Sequence, residues 1–330
     1  MTVRILTGDC REVLPTLPDA SVHCCVTSPP YWGLRDYGHG DQLGLEPTPD
    51  EYVAKMVAVF REVWRVLRDD GTLWLNLGDS YCANGGGGER RMIELGRPSP
   101  GALSKPEHLC DKKRSAQTGL KPKDLVGIPW RVAFALQADG WWLRQDIIWS
   151  KPNPMPESVT DRCTKAHEYI FLLTKSARYY YDANAIAERG GEPKPCGPKN
   201  DASRNDSGRV QIVRGDGHTR NRRSVWTVPM QPYSGAHFAV FPPALIRPCI
   251  LAGCPMGGTV LDPFGGAGTT ALVAEEEGRN SVLIELNEQY ADMARTRTAQ
   301  GGLFCHQPSE LRAQRRARQE REANTEVSRP

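Results

Sequence analysis

Residues 259–277 hold this chain to one kind of architecture. Thr259–Asp262 is short, apolar and β-branched, so it reads as a buried strand. Pro263-Phe264-Gly265-Gly266-Ala267-Gly268-Thr269-Thr270 follows at once and opens a helix that runs to Glu277. A strand that turns through glycines into a helix lays that helix back on its own sheet, the crossover of a parallel α/β protein. Such glycines let the backbone approach a ligand closely, and the helix N-terminus offers unpaired N–H groups. They also suit a plain turn in which they only permit close packing.

The letters narrow the ligand. Without the Lys of a phosphate-binding loop, ATP hydrolysis is not expected. The full G-x-G-x-x-G pattern of a dinucleotide fold is missing too, which argues against a nicotinamide oxidoreductase. Ser281–Glu285 is the next strand, and Glu285 ends it where a carboxylate would meet ribose hydroxyls. An adenosine ligand without a phosphate fits best, and S-adenosylmethionine is the common one.

The rest of the chain alternates in the same way. Strands are expected at Val3–Leu6, Val22–Val26, Thr72–Leu77, Gln145–Trp149 and Tyr169–Thr174. Thr48-Pro49-Asp50-Glu51 has the form of a capping box, and apolar residues from Tyr52 to Leu67 recur at helical spacing, predicting a helix that ends near Asp70-Gly71. Further helices are expected at Leu125–Ala138, kinked at Pro129, at Pro243–Leu251, bent by Pro248, and at Glu288–Ala299. The fold class is thus α/β, Rossmann-like, with a mostly parallel sheet, helices on both faces and loop insertions.

The strand Val22–Val26 leads into a second distinctive turn, Thr27-Ser28-Pro29-Pro30-Tyr31-Trp32. Two prolines stiffen the exit from the strand. The turn can aim one hydroxyl, prolyl carbonyls and an aromatic face at a single point, a set that suits a flat ring bearing an amino group. The bland alternative is a Pro-Pro loop whose aromatics cap the core. Ser28 and Asp262 both end predicted strands, and open α/β sheets bind ligands outside those ends. If the two strands are neighbours, both turns share one crevice.

Composition excludes several classes. No apolar run approaches the ~20 residues of a membrane span, and Met1–Leu6 starts a strand rather than a signal peptide. The ten cysteines form no C-x-x-C pair and no Cys/His cluster at zinc spacing, so reduced thiols in a cytoplasmic protein and no metal are expected. Net charge is only +3, but Arg and Lys concentrate between Arg90 and Lys123 and between Arg189 and Arg223, in stretches rich in Gly, Pro and Ser. Such stretches are usually solvated loops. The chain divides into 1–81, a basic insertion (82–121), a continuation of the first part (122–182), a second basic stretch (183–224), 225–300 and a charged tail (301–330).

These motifs in this order resemble the amino-group-specific (N4-cytosine or N6-adenine) DNA methyltransferases of beta-type order, in which the catalytic motif precedes the cofactor motif. The resemblance is carried by Gly8-Asp9-Cys10, the Ser28 turn, Asp146 through Pro154, His167-Glu168-Tyr169, His237 through Pro242, Asp262 through Thr270, and Glu285-Leu286-Asn287. It spans about residues 4–298 and departs at Gly266, where the family often has another small residue. It implies that Ser28 Oγ and the Pro29 carbonyl, in the turn completed by Pro30, accept the N–H groups of an exocyclic amine during in-line transfer of a methyl group. It implies that Tyr31 stacks on a base flipped from the duplex. It also implies that 1–81 is a catalytic half, 183–224 a target-recognition region and 225–300 a cofactor-binding half.

Asp9 and Phe264 would contact the cofactor's adenine, and His237 and Phe241 its methionine end. Cys10, Asp262, Gly265, Gly268, Thr269, Thr270, Glu285 and Asn287 complete the implied cofactor set. Ser at position 28, where adenine-modifying relatives usually carry Asp or Asn, points to N4 of cytosine; N6 of adenine, an RNA base or a protein amide stay open. Arg204, Arg209, Arg214, Arg220, Arg222 and Arg223 fall where the family reads its target, so double-stranded DNA is the implied partner. A homodimer and a cognate restriction endonuclease are compatible partners; a membrane is not.

Overall fold

An apolar β-branched run becomes a buried strand only if it finds neighbours on both sides, and here those neighbours come from distant parts of the chain. The computed structural model describes residues 1–34, 40, 42–82, 119–190, 219–231 and 241–304. In chain order the elements are β1 (Val3–Thr7), α1 (Cys10–Val13), β2 (Val22–Thr27), α2 (Pro49–Val66), β3 (Leu67–Leu77), α3 (Ile128–Ala138), β4 (Trp142–Ser150), β5 (His167–Thr174), β6 (Glu188–Arg189), β7 (Thr219–Arg220), β8 (Val225–Thr227), α4 (Pro243–Gly253), β9 (Thr259–Asp262), α5 (Thr269–Glu276), β10 (Asn280–Glu285) and α6 (Glu288–Phe304).

Eight strands form one sheet in the order β1-β10-β9-β2-β3-β5-β4-β8. The neighbours from β1 through β3 are all parallel. β5 runs antiparallel to β3 and β4, and β8 is parallel to β4. The sheet is mostly parallel, as expected of a Rossmann-like fold. The late pair β9–β10 fills the space between β1 and β2, so the sheet joins two ends of the sequence.

Side chains alternate between two cores because the strand period is two. Cys25, Leu73, Leu75 and Phe171 pack with Tyr52, Met56 and Phe60 of α2 and Leu136 of α3. Their neighbours Cys24, Trp74 and Leu172 face the opposite side, against Leu245 and Ile246 of α4 and Val273 of α5. Among the described residues no helix is long and apolar enough to cross a membrane.

Three boundaries differ from the expectations. α2 stops at Val66 and β3 begins at once, its exposed Arg68-Asp69-Asp70 running as strand rather than as a helix end. Pro129 does not kink a helix from Leu125; it sits in the first turn of α3, where its missing N–H costs nothing. β4 starts at Trp142, three residues early, through a bulge between Leu143 and Gln145. The capping box is seen at α2: Thr48 Oγ1 accepts from the Glu51 N–H at 3.2 Å. Most of the basic insertion, most of the target-recognition region and the tail beyond Phe304 lie outside the described residues.

Candidate active site

Parallel pairing brings the carboxyl ends of β1, β10, β9 and β2 to one edge. Cys24 and Cys25 of β2 pair with Val260 and Leu261 of β9, so Thr27 and Asp262 finish side by side. Thr27 Oγ1 donates to Asp262 Oδ1 at 2.6 Å across 235 residues of sequence. Ser28 is the next residue after Thr27, and Phe264 follows two after Asp262. The two turns singled out in the sequence therefore leave the same edge of the sheet side by side.

Asp262 organises the glycine loop. Its carboxylate also accepts from the Phe264 N–H at 3.1 Å and from Thr270 Oγ1 at 2.6 Å. Complete burial pushes this carboxyl up to about 6, with the Thr27, Thr270 and Phe264 hydrogen bonds holding it back and the Glu285 charge adding to the rise. An acid raised in the folded state contributes stability that is full below its unfolded value, about 3.9, and is lost as pH climbs through the folded one. Asp262→Asn keeps an acceptor for Thr27 and cannot ionise. It is expected to gain on the order of 2 kcal/mol on wild type between about pH 4.5 and about pH 7 in urea unfolding. A difference independent of pH would show that Asp262 does not titrate in the fold.

The glycines divide by function. Gly265 and Gly268 are packed: a Cβ would meet Leu283 Cβ at 3.0 Å and Ala294 Cβ at 2.7 Å respectively. Gly266 differs, for a Cβ there would meet nothing within 4 Å, and its N–H donates to Glu285 Oε2 at 2.7 Å. Glu285 Oε1 accepts from the Asn287 N–H at 2.9 Å, so the carboxylate is fixed beside open space at the mouth of the loop. A cradle of this kind fits an adenosine-bearing ligand held through its hydroxyls.

Other expected cofactor residues have additional duties. Asp9 caps α1 and accepts the Arg11 N–H at 2.8 Å and the Arg11 guanidinium. Burial pulls its carboxyl up, but these bonds outweigh it and hold it below the ordinary value. Cys10 lies in the first core at 6% exposure, and burial pushes its thiol up to about 12. Asn287 caps α6, its Oδ1 accepting from the Gln289 N–H at 2.9 Å. Thr269 is buried, and Arg297 reaches its hydroxyl at 3.2 Å. Phe241 packs against the second core just before α4. His237 lies outside the described residues.

The Ser28 turn is held from several sides. Pro29 is buried, and the Pro30 carbonyl accepts from Tyr52 Oη at 2.9 Å. Trp32 Nε1 donates to the Glu46 carbonyl at 2.9 Å. Tyr31 Oη donates to Glu168 Oε2 at 2.8 Å, and burial together with that carboxylate raises the phenol well above its usual range, so it stays protonated. The Tyr31 ring lies against Gly78 so closely that a Cβ would sit 2.5 Å from its Cε2. Gly78→Ala is expected to displace the ring, to cut methyl transfer by about tenfold or more and to cost about 1–3 kcal/mol of stability. Unchanged transfer would mean that the ring position is not critical.

The described members of the arginine set expected to contact DNA are engaged within the protein. Arg220 and Arg223 both pair with Glu188, at 3.4 and 3.0 Å, tying the β6–β7 ribbon. The Arg222 guanidinium lies over the Trp226 ring at 4.8 Å. Arg204, Arg209 and Arg214 lie outside the described residues. Among the described residues no group of three or more His, Cys, Asp or Glu is placed to hold a metal ion.

The strand ends that lead into the Ser28 turn and the glycine loop are thus hydrogen-bonded to each other at the carboxyl edge of the sheet. The DNA methylase model for N6- and N4-directed enzymes matches residues 22–296. The chain belongs to this DNA methylase family. The methylase is 48% identical over 294 residues to the type II methyltransferase M.SmaI of Serratia marcescens, covering 89% of this chain and 90% of that protein. It is 49% identical over 290 residues to M.Cfr9I of Citrobacter freundii, covering 88% of this chain and 85% of that one.

Among solved structures, its fold is similar to the cytosine-N4-specific PvuII DNA methyltransferase, with a TM-score of 0.59, 19% identity, and 89% and 85% of the two chains covered. The Thermus thermophilus protein TTHA0409, complexed with S-adenosyl-L-methionine, gives a TM-score of 0.54 and 25% identity over 91% of this chain and 94% of that one.

Sequence reasoning gave no role to Asn76, Gly78 and Glu168, which contact Tyr31 of the methylase, or to Lys151, which pairs with Glu168. Register explains their meeting, since Asn76 pairs with Ile170 in β5 and Ser150 with His167. Lys151 and Glu168 stand inside motifs that carry the resemblance, and a polar Asn inside the apolar run Leu73–Leu77 was a further signal.

Proposed function

We propose that this methylase transfers a methyl group from S-adenosyl-L-methionine to the exocyclic N4 of cytosine in double-stranded DNA. The Thr27–Asp262 hydrogen bond is the observation that supports the reading best, because it ties the strand end before Ser28 to the strand end before the glycine loop. Gly266, Glu285 and the start of α5 would hold the cofactor, with Asp9, Phe264, Asn287, Phe241 and His237 as further contacts. When bound, it supplies an electrophilic methyl group. Ser28 Oγ and the Pro29 carbonyl take the N–H groups of the amine and orient its lone pair, while Tyr31 supports the extruded base.

A hydroxyl at position 28, rather than a carboxylate or amide, supports cytosine over adenine. Similarity to type II methyltransferases supports a cognate restriction endonuclease and a cytoplasmic location; a homodimer is a further proposal, tested by the mass in solution. Methylating a mixed DNA library with labelled cofactor and reading the modified base decides the matter, with label at N6 of adenine overturning the cytosine assignment. The basic segments, Arg204 through Arg223 among them, are proposed as DNA contacts. Affinity for DNA is then expected to fall steeply as salt rises in a titration, and a flat response would remove them from the interface.

A further inference from the structure

Polar groups behind Ser28 form one directed chain. Ser28 Oγ donates to Tyr31 Oη at 3.3 Å, and Tyr31 Oη donates to Glu168 Oε2 at 2.8 Å. Lys151 Nζ pairs with the other carboxylate oxygen, and both side chains are shielded, at 14% and 15% exposure. Asn76 Nδ2 also donates to Glu168 Oε2, at 3.3 Å, and its Oδ1 stands 3.2 Å from Tyr31 Oη as a longer alternative acceptor. The Lys151 ammonium lies 4.3 Å from the centre of the Trp149 ring, which fixes it from the other side.

A hydroxyl carries one proton and an ionised carboxylate none. Glu168 can therefore only receive, and it commits the Tyr31 proton to itself. The Tyr31 oxygen is then left to accept from Ser28. That turns the Ser28 proton away from the crevice and leaves the Ser28 lone pairs for a donor arriving from the other side. A neutral amide at position 168 could donate instead, and the chain could reverse until the Ser28 proton faced the incoming amine.

We propose that Glu168, held by Lys151, is a positioning residue: it sets the direction of hydrogen bonding through Tyr31 so that Ser28 meets the target amine as an acceptor. This rests on the reading of Ser28 as the amine acceptor. It gives purpose to the half-buried Lys151–Glu168 pair, which a fold-stabilising role would not require to end on a catalytic turn.

The test compares Glu168→Gln, Tyr31→Phe, the double variant and Ser28→Ala on one duplex substrate. Single-turnover transfer is measured with labelled S-adenosyl-L-methionine, and cofactor affinity, DNA affinity and melting temperature are measured on the same preparations. Glu168→Gln is expected to slow transfer by about 10²-fold, with both affinities within about twofold of wild type. The shielded Lys151 loses its partner, so melting temperature is expected to fall, and transfer is measured well below it. In the Tyr31→Phe background the same substitution is expected to add less than about twofold, because no hydroxyl remains to transmit it.

Independent, multiplying losses would overturn the proposal, as would a loss explained by weaker binding or by unfolded enzyme at the assay temperature. A wild-type rate in Glu168→Gln beside an inactive Ser28→Ala would overturn it while leaving the Ser28 reading intact. A wild-type rate in Ser28→Ala would remove the reading itself, and the proposal with it.

Discussion

Ser28→Ala is expected to lose methyl transfer by about 10³-fold or more, equivalent to about 4 kcal/mol of transition-state stabilisation, while binding S-adenosyl-L-methionine within about twofold of wild type. The substitution removes one half-buried oxygen and its 3.3 Å hydrogen bond to Tyr31 Oη, while the other supports of the turn remain. Pro29 and Pro30 keep its course, Tyr52 still donates to the Pro30 carbonyl, and Thr27 still reaches Asp262. The cofactor cradle around Gly266 and Glu285 belongs to other strands and is untouched. An exocyclic amine is a poor nucleophile because its lone pair is drawn into the ring, so the loss of an acceptor for its N–H falls on the chemical step. Single-turnover transfer and calorimetric cofactor binding check both halves of the expectation, and a wild-type rate would remove Ser28 from the mechanism.

Gly268→Ala is expected to destabilise the fold by about 2–5 kcal/mol and to weaken cofactor binding with it. Two causes act together. Gly268 caps α5 at a φ of 79°, in the left-handed region, which costs an L-residue about 1–2 kcal/mol. Its added Cβ would also stand 2.7 Å from Ala294 Cβ and 2.9 Å from Ala294 Cα on α6, a clash that overpacking costs put at about 1–3 kcal/mol. Ala294→Gly in the same chain takes away the nearer contact but not the backbone strain. It should therefore recover part of the loss, and urea unfolding of the three variants separates the terms. Full recovery would leave the strained backbone without a measurable cost, and no loss at all would show that α5 and α6 can move apart.

The sequence displayed the fold most clearly where local chemistry and tertiary demand agreed. Asp262 through Thr270 reads as strand, turn and helix because each residue there serves the local geometry, and Thr48 announces α2 in the same way. The end of α2 was hidden because Leu67 continues the helical spacing while the sheet claims it for pairing with Val22. Pro129 marked the right place with the wrong consequence, since nothing nearby in sequence states that the Asp79 carboxylate receives the Gly127 and Ile128 N–H groups at 3.0 and 3.1 Å. The turn at Ser28 and the loop at Gly265 could be picked out one by one, but their contact depends on strand order. The support behind Ser28 was the least legible part. Lys151, Glu168 and Asn76 lie on or beside three strands, and only the antiparallel register of β3, β5 and β4 brings them to one end of the sheet.

Because β9 and β10 slot between β1 and β2, the ribosome finishes the reaction centre late. Until residues 259–285 emerge, β1 and β2 have no mutual partner, and the serine that is translated early has no crevice to face. Through that interval β1 and β2 carry open strand edges, the condition under which chaperones engage.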